Sequence, residues 1–401
     1  MKMRLSSRIL EMQESPIRKL TPYADEAEKK KVKIYHLNIG QPDIDTPPEM
    51  MDAIKNTDFK ILKYGPSDGL KTYRNALPKY YAKYGIKLAP EDILVTTAGS
   101  EAILFAMIAV ADVGEEIIIT EPYYTNYNGF ATMADVKIVP VTTKAETGFA
   151  PPPIREIEEK ITNRTRAILI CNPSNPTGAV YSREEVKSLV QLCKTEKLFL
   201  IADEVYREFV YDGYKHTSIM EFPEIVDRAI MVDSISKRYS ACGARIGCII
   251  SKNHELMQNV LKLGQARLCP PTLEQIAAQA AIDLPETYFD KTLAEYQRRR
   301  DIVYKELKNT PGVFCEKPKG AFYIIAKLPV ENAEDFAIYM LKHFRDNNET
   351  VMFSPADGFY GSKDLGKDEI RIAYVLNAND LKRAMELFKK GLEQYKLDRK
   401  S

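Results

Sequence analysis

The sequence predicts an α/β protein, with a large domain built on a mainly parallel, seven-stranded sheet flanked by helices and a smaller α+β domain formed by both termini. Short apolar runs rich in β-branched residues recur between residues 92 and 251. Amphipathic helical patterns separate several of them, and this alternation is typical of a parallel sheet. The chain has 401 residues, 45% of them hydrophobic and 28% charged, which is enough for a large core and two domains.

The predicted strands of the large sheet are, in chain order, residues 92–97, 115–120, 136–141, 165–171, 198–202, 229–234 and 248–251. Helical periodicity fills residues 101–112, 183–194 and 254–267. In an open α/β sheet, ligands bind beyond the carboxyl ends of the strands. Functional side chains are therefore expected directly after these runs.

A change of pattern near residue 285 indicates a second domain. A long charged helix is predicted at 287–308, a strand-like run at 320–326 and a final helix from Asn379. Short strands and helices after a long helix are typical of an α+β domain, and we expect the N-terminal segment to join it. Residues 46–285 are therefore assigned to the large cofactor-binding domain, and residues 1–45 and 286–401 to the small domain.

Charge and composition exclude several function classes. Lys and Arg total 57 against 56 Asp and Glu, and a net charge of +1 gives no electrostatic reason to expect nucleic acid or an anionic membrane as a partner. The N-terminal segment lacks the apolar stretch of a signal peptide, and the longest apolar run, 102–111, is about half of a membrane span. The six cysteines form no Cys-x-x-Cys pair and no histidine stands at zinc spacing, which predicts reduced thiols in the cytoplasm and no metal site.

The run 229–234 leads into the most informative motif of the chain. Its last residue is Ser234, Ser236 and Lys237 follow, and Arg245 stands eight residues beyond the lysine. A lysine in a partly desolvated pocket loses its preference for the charged form, and the neutral amine can attack a carbonyl to form a Schiff base. Hydroxyl and guanidinium groups hold phosphate. One lysine beside one phosphate site suggests pyridoxal phosphate.

Two other interpretations of this motif are weaker. A lysine after a strand is usually a solvated loop residue. Ser-x-x-Lys also marks the nucleophile of penicillin-binding proteins and β-lactamases, which need Ser-Asp-Asn and Lys-Thr-Gly as partners. The chain contains neither tripeptide, and its nearest approach is Ser67-Asp68-Gly69.

Two further strands end in residues suited to a pyridine cofactor. Asp203 follows the run 198–202, and because a buried carboxylate is costly unless paired, a protonated pyridine nitrogen would suit it. Asn175 lies in a rigid turn with two Asn-Pro steps, and its amide and the Tyr206 hydroxyl could both donate to the phenolate oxygen of the cofactor. The simpler alternatives are a helix-capping aspartate and a strand-terminating turn.

Small residues separate the first strand of the sheet from the helix predicted to begin at Glu101. Ala98, Gly99 and Ser100 expose backbone N–H groups there, and the helix dipole favours an anion at this end. The alternative is a tight turn in which Ser100 caps the helix. No Gly-x-Gly-x-x-Gly and no Walker pattern occurs, so nucleotide-binding interpretations lack their fingerprint.

Taken together, these motifs resemble those of the class I/II aminotransferases of the pyridoxal-phosphate fold type I superfamily, over nearly the whole chain. By this resemblance Gly40 lies against the substrate carboxylate, Tyr64 reaches the phosphate of the neighbouring subunit, Tyr124 stacks on the cofactor ring and Arg371 grips the substrate α-carboxylate. The remaining cofactor positions of the family match, in order, Asn175, Asp203, Tyr206, Ser234, Ser236, Lys237 and Arg245.

The resemblance implies transamination with pyridoxal 5'-phosphate. Lys237 would hold the cofactor and act as the general acid–base, an L-amino acid would be the donor, and a 2-oxo acid, expected to be 2-oxoglutarate, the acceptor. Gly40, Asn175 and Arg371 would bind substrate. Because Tyr64 would act in the neighbouring subunit, the resemblance also implies a homodimer.

The choice of substrate is the least constrained expectation. An aspartate or broad-range aminotransferase ranks first and an aromatic amino acid aminotransferase second. Aspartate-specific relatives often carry a lysine where this chain has Ser100; Arg267 could supply the missing charge, or could simply end its helix. A carbon–sulfur β-lyase, which uses the same cofactor residues, is the alternative from another reaction class.

Overall fold

The computed structural model describes residues 3–285 and 287–399. Its largest sheet has seven strands in the order β2-β8-β7-β6-β5-β3-β4. In chain order these strands are β2 (Ile93–Thr97), β3 (Glu116–Glu121), β4 (Lys137–Thr142), β5 (Thr165–Cys171), β6 (Phe199–Asp203), β7 (Ala229–Ser234) and β8 (Ile246–Ile250). The predicted α/β class and the mainly parallel seven-stranded sheet are confirmed.

One strand of this sheet runs against the others. β8 pairs antiparallel with both of its neighbours, β2 and β7, whereas the remaining pairs are parallel. β8 also begins two residues earlier than the predicted run 248–251, because Ile246 and Gly247 already pair with β2. β8 therefore starts directly after Arg245, at the end of the sheet where the carboxyl ends of the parallel strands lie and functional residues are expected.

The helices are α1 (Ser7–Glu11), α2 (Thr21–Lys29), α3 (Pro48–Lys55), α4 (Lys71–Ala82), α5 (Ala98–Val110), α6 (Asn126–Ala134), α7 (Ile154–Glu158), α8 (Arg183–Thr195), α9 (Ile235–Arg238), α10 (His254–Arg267), α11 (Thr272–Ala280), α12 (Thr287–Lys308), α13 (Ala333–Lys342) and α14 (Ala378–Asp398). None of the helices in the described ranges is both long enough and apolar enough to cross a bilayer.

Both faces of the large sheet are buried, as expected for parallel strands. In β5, Ala167 and Leu169 pack into the hydrophobic cluster that contains α5. The alternate residues Ile168 and Ile170 pack into the cluster that contains α8. Because successive strand residues point to opposite faces, a continuous apolar run fills both layers and holds the carboxyl ends of the strands in place.

Two smaller sheets involve the terminal parts of the chain. β1 (Lys33–His36) pairs in parallel with β10 (Glu349–Met352). β12 (Glu369–Ala373) lies between β11 (Ser354–Pro355) and β9 (Tyr323–Lys327), antiparallel to both. This pairing of early and late strands supports the assignment of both termini to one smaller domain, and the division at residues 46 and 285 stays a prediction.

Candidate active site

The polar ends of the large-sheet strands face a cavity of about 290 Å³. Thirteen of the residues singled out from the sequence line it: Gly40, Ala98, Gly99, Ser100, Tyr124, Asn175, Asp203, Tyr206, Ser234, Ser236, Lys237, Arg245 and Arg371. They come from the large sheet, from the segment after β1 and from β12. The fold therefore gathers at one place residues that lie more than 300 positions apart in the chain.

Lys237 projects into this cavity from α9, the short helix that directly follows β7. Its Nζ donates a hydrogen bond to the Gly40 carbonyl oxygen at 2.7 Å and lies 3.8 Å from the Cys242 Sγ. Among the described residues it forms no ion pair. An amine without a fixed counter-charge is free to act as a nucleophile or a base.

The turn between β2 and α5 exposes N–H groups that would suit an anion, and is here termed the anion cradle. α5 begins at Ala98, three residues before the predicted start, and Thr97 occupies the N-cap without a side-chain cap, so Ser100 lies inside the first turn. Ala98 has a φ of 62°, and the first N–H groups of the helix have no intrahelical partner. A Cβ at Gly247 would lie 2.6 Å from the Gly99 nitrogen, so glycine is needed for this close approach.

Two serines and an arginine complete the polar side of the cradle. The Ser234 hydroxyl donates to the Ile246 carbonyl at 2.9 Å, and the Ser234 and Ser236 hydroxyls are 2.8 Å apart. The Arg245 side chain is exposed, and its Nη1 donates to the Cys242 carbonyl at 3.0 Å. Hydroxyl groups, helical N–H groups and a guanidinium at one place form the donor set that suits a phosphate.

Asp203 ends β6 and presents a buried carboxylate to the cavity. It accepts a hydrogen bond from the Tyr127 hydroxyl at 2.6 Å and a longer one from the Val205 N–H at 3.4 Å. Burial raises the pKa of Asp203 to about 6, although the Tyr127 hydrogen bond opposes the rise. No cation pairs with it among residues 3–285 and 287–399, so a cationic group in the cavity would complement it.

Arg371 lies in the middle of β12, and only 1% of its surface is exposed. Its Nη1 donates to the Asn175 Oδ1 at 3.0 Å, its Nη2 donates to the Asn38 carbonyl, and its Nε has no partner. Burial lowers its pKa, since none of the described carboxylates pairs with it. A buried charge of this kind is costly unless an anion joins it, so a carboxylate would suit this end of the cavity.

Aromatic side chains form the walls between these charged ends. The Tyr206 and Tyr323 hydroxyls are 2.8 Å apart, and burial raises the pKa of Tyr206 well above its usual range. Tyr124 lies at the cavity with its hydroxyl bonded to Asn126 at 2.8 Å, and burial raises its pKa to about 12. A Cβ at Gly40 would overlap the Tyr323 hydroxyl, so a glycine is required where the chain passes this ring.

Two residues proposed from the sequence lie outside the cavity. Tyr64 is 82% exposed on the surface. Arg267 ends α10 and points inward, where it pairs with Glu101 at 3.2 Å and donates to the Val95 carbonyl at 3.1 Å. Glu101 in turn accepts the Thr97 N–H at 2.8 Å, so within one protomer Arg267 supports the anion cradle from behind.

The cavity residues and partners that the sequence analysis did not identify include Tyr127, Tyr323, Asn38 and Arg18. Tyr127 lies three residues after Tyr124, but its contact with Asp203 depends on where α6 lies relative to β6. Arg18 lines the cavity from the segment before α2, and its exposed side chain has no hydrogen bond or ion pair with the described part of the chain. No local pattern distinguishes these residues from ordinary surface or core positions.

Comparisons with known proteins agree on one family. The family model for aminotransferases of class I and II matches residues 32–388. An aspartate aminotransferase of Pyrococcus horikoshii is 31% identical over 97% of both chains. An aromatic-amino-acid aminotransferase of Thermococcus litoralis is 31% identical over 98% of this chain and 100% of its own. The solved structure of an alanine aminotransferase from Pyrococcus furiosus has a TM-score of 0.88 at 32% identity, covering 98% of this chain and 100% of its own.

Proposed function

The chain belongs to the class I and II aminotransferases, and from this we propose that it uses pyridoxal 5'-phosphate to transfer an amino group from an L-amino acid to a 2-oxo acid. One observation carries the proposal: an amine, Lys237, lies in one cavity with a buried carboxylate, Asp203, and a buried guanidinium without an anion, Arg371. The amine suits the aldehyde of the cofactor, the carboxylate its ring nitrogen, and the guanidinium the substrate.

The donor set of the cavity fits the cofactor at each of its polar atoms. We assign the phosphate to the cradle formed by Ala98, Gly99, Ser100, Ser234, Ser236 and Arg245. Asp203 would face the ring nitrogen, Tyr124 the ring, and Asn175 and Tyr206 the phenolate oxygen. The Asn175 Oδ1 accepts from Arg371, which leaves its amide nitrogen to donate. When bound, the cofactor supplies an electron-withdrawing ring that stabilises negative charge developing at the substrate α-carbon.

The chain's own residues account for the remaining steps. Arg371 binds the substrate α-carboxylate, and Gly40 lets the chain pass close to that carboxylate. This orientation brings the α-proton to Lys237, whose amine removes it as general base. When the second substrate is converted, the same amine acts as general acid and delivers a proton to the α-carbon of the 2-oxo acid. The aromatic walls exclude water, which strengthens each of these charge interactions.

Product analysis with a substrate panel tests the proposal. Purified protein loaded with pyridoxal phosphate is given aspartate, glutamate, tyrosine, phenylalanine, alanine or cystathionine, with and without 2-oxoglutarate. A transaminase forms one 2-oxo acid per site without acceptor and turns over repeatedly with it. A lyase would release pyruvate and ammonia repeatedly without any acceptor. The relatives are named as aminotransferases, so the lyase alternative is not supported.

The relatives do not by themselves select a substrate, since they are named for aspartate, for aromatic amino acids and for alanine. We propose an aspartate or broad-range specificity, with aromatic donors second. Arg18 supports this choice because it is an unpaired cation at the cavity that holds Lys237 and Arg371. It is a better candidate for a distal carboxylate than Arg267, whose charge Glu101 already balances.

Replacing Arg18 with glutamine should reduce kcat/KM for aspartate and glutamate by roughly ten- to a hundredfold, the worth of one hydrogen-bonded charge pair. Alanine has no distal charge, and its kcat/KM should stay within about twofold. Steady-state kinetics with the three donors measure this. Arg155→Gln, at an exposed arginine remote from the cavity, is the matched control. An equal loss for alanine and aspartate would contradict the role of Arg18.

We further propose a homodimer in which Tyr64 reaches the phosphate bound by the partner subunit. Its neighbours Phe59, Ile61 and Leu62 are all more than half exposed, which is an unusual apolar segment for a free surface. Tyr64→Phe should weaken cofactor binding by roughly ten- to a hundredfold, since a hydrogen bond to a charged phosphate is lost, while light scattering still reports a dimer. A fully active monomer would show that Tyr64 has no such role.

Other expectations from the sequence stay predictions. They are a cytoplasmic location, the absence of nucleic acid and membrane partners, and the absence of a metal.

A further inference from the structure

A buried ionic cluster adjoins α9, the short helix that carries Lys237 and the cluster residue Arg238. It consists of Glu204, Arg207, Glu208, Asp233 and Arg238, all almost fully buried. None of the five lines the cavity. Burying five charged groups is costly, so their arrangement calls for an explanation beyond packing.

The cluster holds the turn that carries Lys237. The Asp233 Oδ1 accepts the Ser234 N–H at 2.7 Å, and Arg238, the residue after Lys237, donates to the Ser234 carbonyl at 3.2 Å. Arg238 also pairs with the Asp233 carboxylate. The backbone on both sides of Ser236 is therefore tied to the cluster.

Glu208 connects this turn to the segment that follows β6. β6 ends at Asp203, and Tyr206 and Glu208 lie in the turn directly after it. Its Oε1 accepts hydrogen bonds from Arg238 at 3.2 Å and from the Tyr80 hydroxyl. Its buried Oε2 has no partner among the described residues. One carboxyl group thus spans the Asp203 segment and the Lys237 turn.

Glu208 is surrounded by charges of both signs. The guanidinium groups of Arg207 and Arg238 face the carboxylates of Glu204 and Asp233, and the His216 Nε2 lies 3.0 Å from the Glu204 carboxylate. Burial raises the pKa of Glu208 to about 7, with Asp233 adding to the rise and Arg238 opposing it. The hydroxyls of Tyr80 and Tyr239 complete its titratable surroundings. The proton of Glu208 is therefore exchanged near neutral pH.

We propose that Glu208 is a positioning residue for Lys237, which acts by holding Arg238 and thereby the Ser234–Lys237 turn. Ionisation of Glu208 adds a negative charge next to this turn, which should weaken the binding of a phosphate there. This inference rests on the proposed function. The effect passes through Arg238 and the Ser234–Lys237 turn rather than through any contact with the cofactor.

Three proteins test the inference: the wild type, Glu208→Gln and Glu208→Leu. Glutamine keeps an acceptor for Arg238 and never ionises, whereas leucine removes the acceptor. The dissociation constant for pyridoxal phosphate in the wild type should rise as the pH passes through about 7. That rise should disappear in Glu208→Gln, and Glu208→Leu should bind roughly tenfold more weakly at every pH. A glutamine variant with the wild-type pH dependence would overturn the proposal.

Unfolding of the apoprotein supplies a readout that needs no cofactor. The folded-state pKa of Glu208 is raised from 4.5 to about 7, so its stabilising contribution is complete below pH 4.5 and is lost as the pH rises to about 7. Between these limits Glu208→Gln should gain thermal stability relative to the wild type, and equal midpoints at all pH values would also overturn the inference. If the wild type bound no pyridoxal phosphate, the proposed function would fail while this readout still tested Glu208.

The matched control is Glu349→Gln. Glu349 also accepts hydrogen bonds from an arginine, Arg383 at 2.6 Å, and a tyrosine, Tyr35 at 3.0 Å, but it lies on β10 away from the cavity. Its partners lower the pKa of Glu349, so it titrates well below neutral pH. The control should therefore retain the pH dependence of cofactor binding. If Glu349→Gln lost the pH dependence of cofactor binding, substitution in any arginine–carboxylate pair would abolish it, and the result with Glu208→Gln would not be specific.

Discussion

Replacing Lys237 with alanine is expected to reduce turnover by roughly four orders of magnitude or more, while some cofactor remains bound. The amine is the only lysine group lining the cavity in the described ranges, and in the proposed function it serves as both nucleophile and acid–base. The phosphate cradle does not depend on it, so binding persists. Single-turnover product formation measures the loss, and absorbance of the purified protein measures the cofactor that stays.

Two further variants make this result specific. Lys237→Arg keeps the positive charge but not a nucleophilic amine, and should be as inactive as the alanine variant. Lys252→Ala alters a lysine that also follows a strand of the large sheet, β8, but outside the cavity, and should leave turnover unchanged. After borohydride reduction, mass spectrometry should find the cofactor on Lys237 of the wild type. Undiminished activity in Lys237→Ala would refute the assignment.

Asp203→Asn is expected to lower kcat by roughly 10²- to 10³-fold, the cost of removing one preorganised charge from a buried site. Asparagine fills the same volume and still accepts the Tyr127 hydroxyl, so the fold is retained. It lacks the negative charge that would keep the ring nitrogen protonated. Steady-state kinetics and thermal unfolding together separate this effect from misfolding. Normal kcat in a stable Asp203→Asn variant would contradict the role.

Tyr127→Phe tests the hydrogen bond that the Asp203 carboxylate accepts from the Tyr127 hydroxyl. The Tyr127 hydrogen bond lowers the pKa of Asp203, which burial otherwise raises to about 6. In the wild-type apoprotein, cofactor affinity should therefore fall as the pH drops through about 6 and the carboxylate is protonated. Without the tyrosine hydroxyl the fall should begin at higher pH. An unchanged pH profile would show that this hydrogen bond does not influence Asp203.

The parts of the fold that depend on local pattern were predictable. Each of the seven strands contains a mainly apolar run, and Asp203, Lys237 and Asn175 lie at or within four residues of the end of such a strand. Their convergence on one cavity follows from parallel pairing, since the carboxyl ends of parallel strands share one edge of the sheet. The catalytic and binding roles given to them stay proposals.

Contacts between distant segments were not predictable. Tyr127 reaches Asp203 and Tyr323 reaches Tyr206 across 76 and 117 positions of sequence. Both pairings depend on how helices and the smaller sheets pack, which single-residue patterns do not encode. Arg18 was missed for the same reason, because an arginine in a polar N-terminal segment has the pattern of a surface residue. α5 begins at Ala98 rather than at the predicted Glu101, because a positive φ at Ala98 turns the chain directly into the helix.

The parallel pairing of β1 with β10 constrains how the protein is made. Lys33 is synthesised early, and its partner Glu349 leaves the ribosome roughly 15 to 60 s later at ordinary elongation rates. All strands of the large sheet lie between these two positions, so that sheet can form on the nascent chain first. Until β10 emerges, β1 presents an unpaired edge that a chaperone or another nascent chain can bind. Gly40 and Arg371 can face Lys237 together only after β12 has left the ribosome, so the enzyme becomes competent for its substrate later than its large sheet can form.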